Sequence, residues 1–214
     1  MQLDDSPSLT VKEIASRLAP FCARLSDDAL MAVSKYIDLL RLWNHKVSLT
    51  TIEEPLEIVA RHFGESIFIG NLVNFSYGRL ADVGSGAGFP GLPLKIAFPE
   101  LEIFLIEPNI KKCAFLTEVM TELNLRGVQI IRKQYANIGS EIGKFDFICS
   151  RAIGNYKNLL RWARGRLDLG GRVILSVGLE DSIQMSREEG WIWETPIRLP
   201  ESRKRMIVVG RRKD

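Results

Sequence analysis

The strongest chemical signal lies in Asp82-Val83-Gly84-Ser85-Gly86-Ala87-Gly88-Phe89-Pro90-Gly91. Glycine at 84, 86 and 88 allows a tight turn and lets a ligand reach the backbone without striking a Cβ. A second acid, Glu107, follows 23 residues after Gly84. A carboxylate at that spacing can accept both hydroxyls of a ribose. Two ligand classes suit this layout, a dinucleotide and S-adenosylmethionine (SAM). Asp82 would repel a pyrophosphate and suits a cationic ligand. Pro90 also removes an amide that a phosphate would use. These residues favour SAM over a nicotinamide dinucleotide, and a glycine turn without a ligand is the remaining reading.

Other chemistries have weaker support. No Asn-Pro-Pro-Tyr motif follows the fourth apolar run, where Cys149-Ser150-Arg151-Ala152 stands instead. Cys22, Cys113 and Cys149 form no CxxC pair, so neither a metal centre nor a disulfide framework is expected. Cys149 lies in an apolar run and reads as core. The chain has two histidines, His45 and His62, and no nucleophile–base constellation. His62 is a candidate beside the cleft, or else a buried structural histidine joining the helical layer to the sheet. His45 reads as exposed, Trp43 as a core anchor, and Trp162 as core despite Arg161 and Arg164 beside it.

The elements that must position these groups follow from periodicity. Leu30, Val33, Ile37 and Leu40 recur at helical spacing after Ser26-Asp27-Asp28, a good helix start. Leu9–Leu18 is a shorter helix candidate, and Pro55 marks another start. From residue 79 short apolar runs begin at Leu80, Leu101, Val128, Phe145 and Arg172. Helical stretches at 92–97, 110–123 and 159–167 separate them. Strands alternating with helices predict an α/β fold with a mostly parallel sheet. Two late runs, 191–197 and 206–209, predict an antiparallel edge. Residues 1–75 are expected to be an N-terminal helical extension, and residues 76–214 a SAM-binding domain, in one unit overall.

Charge adds a partner. Residues 1–60 hold 6 Lys/Arg against 9 Asp/Glu, and residues 61–214 hold 23 against 17. Two basic clusters, Arg151–Arg172 and Arg198–Lys213, suit a polyanion or a solvated face. No apolar run approaches a membrane span, and the acidic N-terminus lacks a signal-peptide layout. A cytoplasmic protein in a reducing compartment is expected.

Taken together, Leu42-Trp43-Asn44, Leu49-Thr50, Arg61-His62 with Ser66, the Gly-Phe-Pro-Gly loop, Lys112 with Phe115-Leu116, Phe145-Asp146 and Ser150-Arg151-Ala152 resemble the bacterial ribosomal RNA small subunit methyltransferase G family. The resemblance implies a SAM-type Rossmann fold with a helical extension, and methyl transfer to N7 of a guanosine in small-subunit rRNA. It implies cofactor contacts at Gly84, Phe89, Tyr135, Ala136 and Arg151, which join Ser85, Gly86 and Glu107 from the loop reading, with His62 and Arg151 as positioning residues. No metal and no membrane are implied, the partner is rRNA or the small ribosomal subunit, and a monomer is expected. The sequence departs from the family pattern at Glu65 and Glu107-Pro108, where the family has Asp and Asp-Ser. It departs again at Val177, where the family has lysine, and at Arg203-Lys204-Arg205. The lost lysine leaves an alternative, a non-catalytic or weakly active RNA- or ribosome-binding relative.

Overall fold

The computed structural model describes residues 8–151 and 154–213. Chain polarity and capping set its helical start. Thr10 and Glu13 close a reciprocal capping box at the head of α1 (Val11–Leu18). The Ser26 hydroxyl accepts from the Ala29 amide and opens α2 (Asp27–Asn44), with Asp27 and Asp28 at the favourable end of the dipole. Leu30, Val33, Tyr36, Ile37 and Leu40 of α2 are buried. Burial of such an apolar side chain contributes about 1.5–3 kcal/mol. Pro55 begins α3 (Pro55–Ile58), and Glu54 caps it by accepting from the Leu56 and Glu57 amides.

The next turn widens. Val59–Gly64 is a π-helix that runs into α4 (Glu65–Ile67) and a 3₁₀ turn at Phe68–Asn71. Such i→i+5 turns are rare and cluster at functional sites. This one holds Arg61 and His62.

The remainder alternates strand and helix. The sheet contains β1 (Gly78–Val83), β2 (Leu101–Ile106), β3 (Val128–Ile131), β4 (Phe145–Arg151), β5 (Leu167–Gly178), β6 (Trp191–Trp193), β7 (Ile197–Arg198) and β8 (Arg205–Arg212). Between strands lie α5 (Gly91–Ala97), α6 (Ile110–Glu122), α7 (Tyr156–Arg166) and α8 (Leu179–Met185). The strand order is β3-β2-β1-β4-β5-β8-β6, with β7 also paired to β8. β1 to β5 pair in parallel, and β8 runs antiparallel to β5, β6 and β7. The parallel sheet and its antiparallel edge agree with the sequence reading. The late run at 191–197 divides in two, because Thr195 and Pro196 leave the ladder after the Glu194 amide has met the Val209 carbonyl, and both pieces pair with β8. α8 is not among the helices expected from the sequence.

Both faces of the central strands are buried, as parallel sheets require. On β1, Leu80 packs toward the N-terminal helices, α5 and α6, whereas Ala81 and Val83 pack toward α7 and β8. On β2, Ile103 and Leu105 share the first face, and Phe104 and Ile106 the second. Tyr36 and Phe63 of the N-terminal segment lie in the same apolar cluster as Leu80 and Leu105. Cys149 is fully buried, as expected of core, and His45 is exposed. Trp43 is half-buried against Phe115, and Trp162 against Tyr135 and Phe145.

The chain leaves β1 in one direction through β2 and β3, then returns to place β4 on the other side of β1. The crevice beyond the carboxyl ends of β1 and β4 is therefore the topological switch point. Ligands of open α/β sheets bind there.

Candidate cofactor cradle and substrate groove

The glycine loop is fastened from below and open above. Gly84 and Ser85 donate to the Ile106 carbonyl, which ties the loop to the end of β2. Glu107 Oε2 accepts from the Gly86 amide at 2.9 Å, and Oε1 accepts from the Asn109 amide at 2.9 Å. Glu107 thus shapes the loop, and each oxygen keeps a lone pair for a further donor. The Tyr36 hydroxyl donates to the Ala87 carbonyl from the buried face of α2. The loop is held by both the extension and the sheet.

The glycines divide by purpose. Gly84 and Gly86 have φ of +73° and +58°, which glycine adopts freely. A Cβ on Gly84 would meet no protein atom within 4 Å, and one on Gly86 only the Gly84 carbonyl at 3.9 Å. They leave space on the open side. Gly88 and Gly91 instead permit close packing, since a Cβ there would sit 2.7 Å from Leu92 and 2.8 Å from Asp82 Oδ2 respectively.

Asp82 lies beneath the loop and is fully buried. Its Oδ2 accepts from the Gly91 amide at 2.9 Å, while Oδ1 has no hydrogen-bond partner among the described residues. Burial raises its pKa from 3.8 to about 7, opposed by the Gly91 hydrogen bond and the Arg151 charge. The sequence reading takes this carboxylate as suited to a cationic ligand; the structure seats it buried under the helix start, where it holds the Gly91 amide. An open glycine cradle, a ribose-spaced carboxylate and an unpartnered buried acid fit a cationic nucleoside cofactor such as SAM.

Beside the loop, His62 joins three elements. Its Nε2 lies 2.7 Å from Thr50 Oγ1, and its Nδ1 lies 2.9 Å from Arg151 Nη2. Its ring stacks on Phe89 at 4.7 Å. Arg151 can only donate, so Nδ1 is the acceptor and Nε2 carries the proton toward Thr50. Burial, then the Arg151 and Arg61 charges, depress the His62 pKa from 6.5 to about 3. The imidazole is neutral near pH 7. Arg151 also donates to the Arg61 carbonyl at 3.0 Å and lies 5.2 Å above the Phe89 ring.

The remaining sequence candidates take different places. Ser85 is buried, with its hydroxyl donating to the Asp82 carbonyl, so only its backbone faces the loop. The Phe89 ring is packed among Tyr36, His62 and Phe63. Tyr135 and Ala136 lie on a short turn after β3, Tyr135 edge-on to Trp162 and Ala136 exposed. Ala152 lies outside the described residues.

A groove of about 620 Å³ opens on the other side of His62 and Arg151. Thr50–Glu53, Arg61, Glu65, Ser176–Gly178 and Arg205 form much of its wall. Its volume is ample for a nucleobase.

Comparison with known proteins places this geometry. A family profile for rRNA small subunit methyltransferase G matches residues 29–193. The chain belongs to the rRNA small subunit methyltransferase G family. A relative of that name from Desulfitobacterium hafniense is 38% identical over 189 residues, covering 87% of this chain and 72% of its own. Another, from Roseiflexus castenholzii, is 35% identical over 169 residues, covering 77% and 72%. Among solved structures, a ribosomal protein L11 methylase from Lactobacillus delbrueckii subsp. bulgaricus aligns with a TM-score of 0.60 at 16% identity, over 72% of this chain and 79% of that one. A putative O-methyltransferase from Klebsiella pneumoniae aligns at 0.62 and 14% identity, over 84% and 90%. At such identities these two matches speak for the fold alone.

Against the methyltransferase G family pattern, two departures acquire a setting. Glu65, in place of aspartate, is buried and pairs with Arg205 at 2.5 Å and Arg61 at 3.5 Å. Val177, in place of lysine, lines the groove half-exposed. Thr50, Glu65 and Arg205 were not singled out as site residues from sequence. Thr50 and Glu65 stood inside quoted motifs, but nothing in spacing alone showed that they meet across the groove. Tyr36 had a usable signal: a polar-tipped aromatic on the apolar stripe of a long helix.

Proposed function

We propose that this chain transfers the methyl group of SAM to N7 of a guanosine in small-subunit ribosomal RNA. The observation that carries the reading is the open cradle at Gly84 and Gly86 next to a base-sized groove whose one histidine is neutral and engaged at both nitrogens. Guanine N7 bears a lone pair and no proton, so its methylation needs no general base, and a groove whose histidine is neutral and engaged at both nitrogens suits it. SAM supplies an electrophilic methyl on a sulfonium.

The cofactor contacts we assign are the loop at Gly84, Ser85, Gly86 and Phe89, the ribose acid Glu107, and the turn at Tyr135-Ala136. Ser85 and Phe89 contribute through the backbone. Arg151 and His62 line the groove beside the loop and hold the base against the cofactor's methyl, and aligning two reactants can supply much of the acceleration. The buried carboxylate of Asp82 and the groove acids favour positive charge, both on the cofactor and on the purine as it is methylated. Residues 1–75 serve as a helical extension that closes one side of the groove, and residues 76–214 as the SAM-binding domain. No helix among the described residues is long and apolar enough to cross a membrane. We assign the chain to the cytoplasm as a monomer acting on rRNA or the small subunit.

Val177 favours a second reading, an RNA- or ribosome-binding relative with little activity. Transfer of tritiated methyl from SAM separates the two. The substrates are small ribosomal subunits and deproteinised rRNA from a strain lacking the enzyme. Label in one guanosine supports the methyltransferase and shows which form is used. Intact SAM binding without label in either supports the second reading.

A further inference from the structure

A second groove, of about 480 Å³, adjoins the first and shares Glu57, Arg61, Glu65 and Arg205 with it. It runs between α1, the π-helix and the turn that links β7 to β8. The two grooves differ in charge. The inner one sets Arg61, Arg151 and Arg205 against four acids, Glu53, Glu57, Glu65 and Asp181. The outer one sets five cations against three carboxylates. Each of those carboxylates is paired: Glu57 with Arg61, Glu65 with Arg205 and Arg61, Glu201 with Arg17. The excess is carried by Arg203 and Lys204. Both are exposed, and neither side chain has an ion pair or hydrogen bond among the described residues.

The turn that bears them is firmly held. Arg17 grips Glu201 with two contacts of 2.8 and 2.7 Å. The Ser202 hydroxyl accepts from the Arg205 amide at 3.0 Å, and the Lys204 carbonyl accepts from Leu179 at 2.8 Å. Leu199 is buried at its base. Two free cations on a fixed turn bind a polyanion with less ordering cost than two on a mobile tail.

We propose that the β7–β8 turn, through Arg203 and Lys204, holds the RNA phosphate backbone while the guanosine occupies the adjoining inner groove. The division of charge suits the two parts of one nucleotide. Phosphates meet the cationic outer groove, and a base that gains positive charge meets the acid-leaning inner one. The proposal rests on the rRNA reading above.

The test compares wild type with the Arg203→Ala/Lys204→Ala double variant on deproteinised small-subunit rRNA and on small subunits, from 50 to 200 mM salt. Each cation that neutralises a phosphate of single-stranded RNA contributes about 0.7 to the slope of log affinity against log salt. The double variant should lose about 1.4 from that slope and show a raised KM for RNA, with SAM affinity and saturated kcat unchanged. The charge-preserving Arg203→Lys/Lys204→Arg pair should restore the slope. An unchanged slope and KM in an active protein would overturn the surface alone. A defect confined to assembled subunits, with naked rRNA bound normally, would also overturn it by pointing to a ribosomal protein. A wild type that labels neither substrate overturns the methyltransferase reading, and a salt slope of RNA binding that the double variant leaves unchanged overturns the surface.

Discussion

His62 Nδ1 accepts a hydrogen bond from Arg151 Nη2 at 2.9 Å, across the seam between the π-helix and the end of β4. The opposite nitrogen meets Thr50 at 2.7 Å. The imidazole is thereby fixed in one tautomer and spans the extension and the sheet. A proton on Nδ1 would face the guanidinium directly, so this histidine positions rather than shuttles.

The pH dependence of folding follows from that pairing. The folded pKa of His62, about 3, lies below its ordinary 6.5. The unfolded chain therefore binds the proton more tightly between those values. The contribution is complete above pH 6.5 and is lost as pH falls toward 3. His62→Gln should lose stability near pH 7 yet flatten the acid limb, measured as the denaturation midpoint from pH 4 to 7. An equally steep acid limb in the variant would show that His62 is not the group being protonated.

Asp82 acts with the opposite sign. Its folded pKa, about 7, exceeds 3.8, so the folded state prefers the neutral acid. Its ionisation costs stability progressively as pH rises from about 4 to 7, and the full penalty is present above that. At 1.36 kcal/mol per pKa unit the limit is on the order of 4 kcal/mol. Asp82→Asn keeps an acceptor for the Gly91 amide and removes the charge. The variant should be more stable than wild type at pH 8 and bind SAM more weakly, read by thermal melts and calorimetry. Greater stability without weaker SAM binding would confine Asp82 to shaping the loop.

Gly84→Ala probes the cradle itself. Its Cβ meets no protein atom, but a side chain at φ +73° carries backbone strain of about 1–2 kcal/mol. The protein should stay folded, with a slightly lowered midpoint, and lose SAM affinity at least tenfold. SAM affinity equal to wild type would place the cofactor elsewhere.

The α/β order, the parallel sheet with its antiparallel edge and the glycine loop were legible because each rests on local pattern: apolar runs of strand length, helical spacing, and glycine between them. Ser26 and Pro55 announced their helices by capping chemistry. The groove was not legible. Thr50, the His62–Glu65 segment, Arg151 and Arg205 come from four places in the chain, and only the packing of that helical segment beside β4 and β8 brings them to one wall. The burial of Asp82 was not read from the sequence, for a related reason. Strand alternation decides which way it points, and Asp82 follows Leu80 to the face covered by the extension.

Tyr36→Phe tests whether the extension supports the cofactor loop. The hydroxyl is wholly buried and donates to the Ala87 carbonyl. Its loss leaves that carbonyl unpaired at a cost of about 1–3 kcal/mol. A lower melting midpoint with severalfold weaker SAM binding is the expected pair of results. Lost stability with unchanged SAM affinity would separate the helix from cofactor binding.

Val177→Lys asks whether the groove lacks a cation or already has one. In the β5–β8 ladder Val177 sits opposite Met206, and Gly178 opposite Arg205, so Arg205 is the nearest cationic residue of the partner strand. Its guanidinium is engaged by Glu65 at 2.5 Å, which leaves little of its charge for a phosphate. Val177 is half-exposed on the groove wall, and a lysine there can keep its stem on the wall and its ammonium in the opening. The variant should keep its stability within about 1 kcal/mol. It should raise methyl transfer at subsaturating rRNA severalfold without altering SAM affinity. An unchanged or lower rate would mean that Arg205 and Arg151 already serve the substrate, and that the valine is no defect in this chain.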